Sequence, residues 1–464
     1  MNSLQRNSQL KAALDYTHNH QDLFLKHLKD FSSIASVSTD PAAKPAMQQA
    51  AEWIAQYLRD LGLPRVEILP TPGHPVVFAE MLTAGAEAPT VLIYGHYDVQ
   101  PAEPLELWTS PAFEPSVRGE YIYGRGVTDM KGQVMATVHA IEAILSAGHL
   151  PVNIKFILEG EEEIGSPSLP AFLKEHAALL ACDLALNPDT GTLAPDLPTI
   201  TYALRGLAYF EIRLHGPDHD LHSGVFGGVV HNPGQALCEL IAGMHDAEGR
   251  VTLPGFYDRV IPLSAEEREE LSRIPTDEAY FLRETGAPAV WGEAGYTPTE
   301  RVGARPTLEV NGLLSGFTGE GSKTVLPAWA MAKISMRLVP DQDPEEVHQQ
   351  LLAYLKANVP ASIRWEVKKM AGGPASLSRR DSAGVQALSK AMESVWGKRP
   401  LFKREGGSVP VVTYFRDYLG VESVNTGFAM PGDNMHSPNE KMHLPTWYKG
   451  MDAFVHFFFN MAEA

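Results

Sequence analysis

At 464 residues the chain is long enough for two or three folding units. Its 44% apolar and 20% charged content is that of an ordinary globular protein with a sizeable core, not of a disordered or fibrous one. A formal charge of −18 argues against nucleic acid and anionic membrane surfaces, which both reward basic surface, and leaves a small molecule or metal cations held by carboxylates.

Two cysteines, Cys182 and Cys238, are too few for a disulfide framework. Both lie in apolar runs and are expected to be buried, reduced thiols. The opening MNSLQRNSQLKAALDYTHNH lacks the run of about 7 to 15 apolar residues that a signal peptide needs. No stretch approaches the roughly 20 apolar residues of a membrane span. A soluble, cytoplasmic protein is expected.

In chain order, Met47, Ala50, Ile54, Leu58 and Leu61 recur at helical spacing, with Pro45 before the start and Gly62 as the stop. PVVFAE and TVLIYG follow as short apolar runs, the second with the composition of a strand buried on both faces. Val134, Val138, Ile141 and Leu145 mark another helix face, closed by Gly148, and VNIKFILEG is again a buried strand. Such alternation predicts an α/β unit on a mainly parallel sheet. Near Gly206 the pattern changes. YFEIRLHG and AMAKISMRL alternate with period two, as half-buried antiparallel strands do. Between them lie a helix pattern, PGQALCELIAGMHD, and a proline- and charge-rich segment over 246–306. After about residue 375 helical spacing returns (Val385, Leu388, Met392, Val395), followed by the strand VESVNTG and a last amphipathic helix. The expected architecture is an α/β domain from residues 1–204 and 378–464, interrupted by an inserted α+β domain at 205–377.

Five acidic or histidine positions fall where strands of the α/β domain should end, the place where open α/β sheets gather catalytic groups. In APTVLIYGHYDVQP a strand runs into His96 and Asp98, which point the same way in extended chain. Asp98 can then accept from one ring nitrogen while the other binds metal. Asp129 sits in the glycine-rich turn YGRGVTDMKG, whose spacing matches no phosphate-binding loop. VNIKFILEG leads into Glu161, Glu162 and Glu163. Successive carboxylates after a buried strand repel one another and resist desolvation unless cations neutralise them. Of two adjacent glutamates, one can hold metal while the other faces a water. Asp189 in LALNPDTG and His436 in MPGDNMHSPNE complete the set. Two histidines with several carboxylates suit zinc or another borderline first-row ion, and one bridging carboxylate suffices for a pair of ions. HExxH, CxxC pairs and GxSxG are absent, which removes the usual support for single-zinc proteases, zinc ribbons and serine hydrolases.

On the motifs GHYDVQP, YGRGVTDMKG, EGEEEIGS, DLHSG, REGGSVP and HSPNE, the chain resembles the zinc aminoacylase and carnosinase-type dipeptidase family along nearly its whole length. ITYALRG, GSKTVLP and RLVP place the likeness nearest the cytosolic nonspecific dipeptidase branch. The resemblance implies a zinc-exopeptidase-like catalytic domain and an inserted lid and dimerisation domain. It implies that His96 and Asp189 bind one divalent ion and Glu163 and His436 another, with Asp129 bridging. The ions would be zinc, with manganese or cobalt as alternatives. Glu162 becomes the general base for a metal-activated water, Asp98 the supporting aspartate, and His222 an oxyanion donor reaching the partner subunit's site in a homodimer. Thr324, Arg337 and Ser408 match positions that hold substrate, as His436 also does. No family motif falls in 246–306, so specificity residues there are unassigned. Aspartate at 189, where deacylases of the family tend to have glutamate, favours hydrolysis of dipeptides over N-acyl amino acids. The remaining alternative, an inactive metal-binding scaffold, should lack a ligand or the base, and none is missing.

Overall fold

The computed structural model describes residues 3–407 and 409–463, and divides the chain into two compact units. One takes in Met1–Tyr202, Ser378–Phe402 and Pro410–Ala464; the other takes in Ala203–Leu377 and Lys403–Val409.

The first unit is built on a mixed sheet. Its four central strands, Asn153–Glu159, Thr90–His96, Leu184–Asn187 and Ser423–Thr426, are hydrogen-bonded in that order and all parallel. Val76–Met81 and then Arg65–Leu69 continue one side antiparallel, and Thr199–Leu204 continues the other. The central strands are buried at nearly every position because helices cover both faces of such a sheet, leaving no wet side to alternate towards. All seven residues of Asn153–Glu159 are buried. The helix Lys131–Ala147 differs from its expected one-sided stripe. It is buried almost all round, with Leu145 only half-buried, because Ser3–Asn19 and Leu444–Met461 both pack on it. An apolar girdle is the pattern of such a core helix.

The second unit carries a four-stranded antiparallel sheet in the order Thr307–Ser315, Trp329–Leu338, Gly206–His215, Arg364–Gly373. Period-two alternation turns Phe210, Ile212, Leu214, Ala332, Ile334 and Met336 inwards, where they pack with Leu237 and Leu240 of the helix Pro233–Ala242 and Leu351 and Leu355 of Pro344–Asn358. The segment 246–306 contains three short helices, Ala265–Ser272, Glu278–Thr285 and Pro298–Ala304.

The cysteines depart from expectation. Cys182 is half-buried and Cys238 exposed. On Pro233–Ala242 the buried positions are Pro233, Ala236, Leu237 and Leu240, spaced three and four apart, and Cys238 falls on the opposite face. Among the described residues, no helix is long and apolar enough to cross a membrane.

Candidate metal centre

The carboxyl ends of all four parallel strands feed one constellation. Thr90–His96 ends on His96 itself, and Asn153–Glu159 runs through Gly160 into Glu161–Glu163. A side chain at Gly160 would lie 2.5 Å from the Tyr97 hydroxyl, so only glycine lets the acidic loop turn there. Leu184–Asn187 is followed by Pro188 and Asp189, and Ser423–Thr426 by the loop that carries His436. Asp129 arrives from the turn before Lys131–Ala147. His436 has φ +57°, in the left-handed region that non-glycine residues seldom adopt, as do Asn434 and Asn439 beside it. Such backbone is tolerated where surrounding structure holds a side chain to a task.

Two groups of potential ligands share one carboxylate. His96, Asp129 and Asp189 form the first; Asp129, Glu163 and His436 form the second; within each group the donor atoms all lie within 4.8 Å of one another. Asp129 spans them. Its Oδ1 is 3.2 Å from His96 Nε2 and its Oδ2 2.9 Å from His436 Nε2. His436 Nε2 also stands 3.3 Å from Glu163 Oε2, and His96 Nε2 4.0 Å from both Asp189 Oδ1 and Glu162 Oε2.

The charges are out of balance in a way that fits cations. Burial, with Asp129, Glu163 and Asp98 nearby, pushes the Glu162 carboxyl up to about 7 against the pull of His96. Burial and the same kind of crowding, from Asp129, Glu162 and Glu163, hold Asp189 well above the usual carboxylate range. Burial opposes charge on His96, yet bonding to Asp129 and Asp98 keeps its pKa well above the ordinary imidazole value. Asp129 and Glu163 raise His436 to about 10. Acids pushed towards protonation beside imidazoles that cling to protons make a pocket short of positive charge. Imidazole and carboxylate donors together suit zinc and its first-row neighbours.

Around this core, the structure assigns work that the sequence did not. Asp98 meets His96 through its backbone oxygen, 3.0 Å from Nδ1, with the carboxylate at 3.4 Å. Its carboxylate also accepts from the backbone N–H groups of Glu162, at 3.3 Å, and Glu163, at 3.1 Å, so one buried aspartate sets both the imidazole and the acidic loop. Glu161 turns away, accepting from the amides of His74 and Ser168. Gln100 donates to Glu163 Oε2 at 2.8 Å. Glu440, unassigned from sequence although it ends the HSPNE motif, is fully buried. It accepts from the amides of Gly126, Thr128 and Asp129 and from Arg125 Nη1 at 2.8 Å, and so shapes the turn that presents Asp129. The signal was an acid four residues beyond a ligand candidate.

Of the substrate-binding candidates, His222, Thr324 and Arg337 belong to the second unit, and His436 to the first. His222 is exposed, and its Nδ1 accepts from the Gly224 amide at 2.9 Å. It lies in a two-residue strand against Val325–Leu326, with Ser223 N–H donating to the Thr324 carbonyl, so His222 and Thr324 share one ribbon. Arg337 lies on Trp329–Leu338, lining a cavity of about 440 Å³ with Arg205, Arg301, Arg305 and His245. Ser408 lies outside the described residues.

A shared-carboxylate donor cluster at the strand ends of an α/β sheet is the build of a dinuclear metallohydrolase. Comparison with known proteins agrees. The family model for peptidase family M20/M25/M40 matches residues 92–460, and the chain belongs to that family. It is 31% identical to the Beta-Ala-His dipeptidase of Homo sapiens over 98% of this chain and 93% of that protein. It is 31% identical to the Cys-Gly metallodipeptidase dug1 of Schizosaccharomyces pombe, over 96% of each. Among solved structures, an M20 family metallo-carboxypeptidase from Sulfolobus solfataricus superimposes with a TM-score of 0.83 at 31% identity, covering 95% of this chain and 99% of that one.

Proposed function

We propose that this chain is a dipeptidase that works with two divalent ions, His96 and Asp189 holding one, Glu163 and His436 the other, and Asp129 both. The observation that carries the reading is the pair of ligand groups joined at Asp129. When bound, the ions supply Lewis acidity to the scissile carbonyl and lower the pKa of water.

The chain's own residues do the rest. Glu162, whose Oε2 stands 4.0 Å from His96 Nε2 and is largely shielded from solvent, takes a proton from the attacking water and returns it to the leaving amine. Asp98 positions His96 and holds the Glu162–Glu163 backbone. His222, from a partner subunit, donates to the developing oxyanion, and Thr324, Arg337 and Ser408 hold substrate, with Arg337 suited to a two-pronged grip on a free carboxylate. The protein acts as a homodimer in the cytoplasm. Zinc is the favoured ion, with manganese or cobalt able to replace it. The names carried by the human and fission-yeast relatives, and aspartate at 189, support dipeptides as the substrate class.

The test is to compare hydrolysis of free dipeptides with that of their N-acetylated counterparts after reconstitution with zinc, manganese or cobalt. Faster cleavage of the free set is expected; strong preference for the acetylated set would make the enzyme an N-acyl-amino-acid deacylase.

A further inference from the structure

A second group of imidazoles and a carboxylate lies in the first unit, sharing no residue with the strand-end constellation. On the helix Lys131–Ala147, His139 and Glu142 stand three residues apart and so project from one face. His27, on the helix Gln21–Ser32, meets them there, and the three offer donor atoms that all lie within 4.8 Å of one another. His139 is wholly buried. Its ring stacks on Phe24 with centroids 4.0 Å apart, yet neither ring nitrogen has a hydrogen-bond partner. Buried polar groups are nearly always bonded, and an unpaired imidazole bears a desolvation penalty that packing alone does not return.

The neighbours hold the other two donors in place. Tyr57, on the helix Lys44–Asp60, donates to Glu142 Oε2 at 2.6 Å, and its oxygen is 2.8 Å from His27 Nδ1. Tyr16 donates to Glu142 Oε1 at 3.1 Å. Partners of this kind orient ligands around metal ions. His27 and Glu142 are half-buried, which leaves the group open to solvent on one side.

We propose that His27, His139 and Glu142 form a further cation site, taking zinc or a related first-row dication. Two imidazoles and one carboxylate are a donor set that zinc accepts, with a further position left open. Burial and the nearby His27 keep His139 neutral, so a lone pair is available. The ion would tie Gln21–Ser32 to Lys131–Ala147, the helix that begins two residues after Asp129, and its role is structural. An ion bound only by the folded chain stabilises it by mass action.

The test counts ions. Chelator-stripped full-length protein is equilibrated with zinc chloride, freed of loose metal, and assayed by plasma mass spectrometry. Glu142→Gln, which keeps shape, and His27→Asn, at a half-buried position, are each expected to bind one zinc per chain fewer than wild type. His139→Phe should behave alike if it folds. The Asp129→Ala/His436→Ala variant should keep a zinc that adding Glu142→Gln removes, and zinc should raise its melting temperature only while Glu142 is present. Equal zinc content in wild type and Glu142→Gln would overturn the proposal whatever the strand-end pair does. A one-ion difference that persists when Asp129→Ala leaves zinc content otherwise unchanged would uphold it while removing the dinuclear reading.

Discussion

The strand-end group and the helix-face group use the same residue types in opposite settings. The first is assembled at the carboxyl ends of four parallel strands, with Asp129 from the turn before Lys131–Ala147, carries an excess of negative charge, and spans positions 96 to 436. The second stands on rigid helices, is flanked by aromatic rings and tyrosine hydroxyls, and has two imidazoles for one carboxylate. In the reading proposed above, chemistry belongs to the first group and stabilisation to the second.

Variants should separate them. The largest effect falls on Asp129, which both ligand groups share: Asp129→Ala should empty both strand-end positions and reduce turnover to background, read by metal analysis and dipeptide hydrolysis together. Glu162→Gln should keep the metal and lower kcat by about 10² to 10⁴, the usual worth of a positioned acid–base group; near-wild-type kcat would remove Glu162 from its role. Glu440→Gln leaves Arg125 buried without its charge partner, and breaking such a pair costs about 3–5 kcal/mol. That loss should appear as a lowered denaturant midpoint. Asp98→Ala should weaken metal affinity or activity by about 10- to 100-fold, as removal of a residue supporting a ligand does. Glu142→Gln, in the helix-face group, should leave kcat unchanged.

Much of the strand-end group could be read from the sequence. His96, the Glu161–Glu163 run and Asp189 each follow a short apolar stretch, and a charge placed just after a buried strand is conspicuous; His436 stands out only through the HSPNE motif. Which glutamate did what was less visible, because Glu161 is occupied by backbone amides of His74 and Ser168. Glu440 stands out in the sequence only as an acid four residues beyond His436, and its role is hidden for the same reason. Its partners are amides more than 300 residues earlier, and no pattern of side chains reveals which backbone groups a carboxylate will meet. Cys238 lies in an apolar run yet is exposed, because a helix turns part of any run outwards. The helix-face group left no trace, since a histidine and a glutamate three apart in an apolar helix look ordinary until His27 arrives from another helix.

The dinuclear centre is most directly tested by anomalous diffraction from crystals grown with zinc. The account predicts two peaks about 3.5–4 Å apart, both in contact with Asp129, one flanked by His96 and Asp189 and the other by Glu163 and His436. A single peak, or peaks that leave Asp129 unbound, would contradict it.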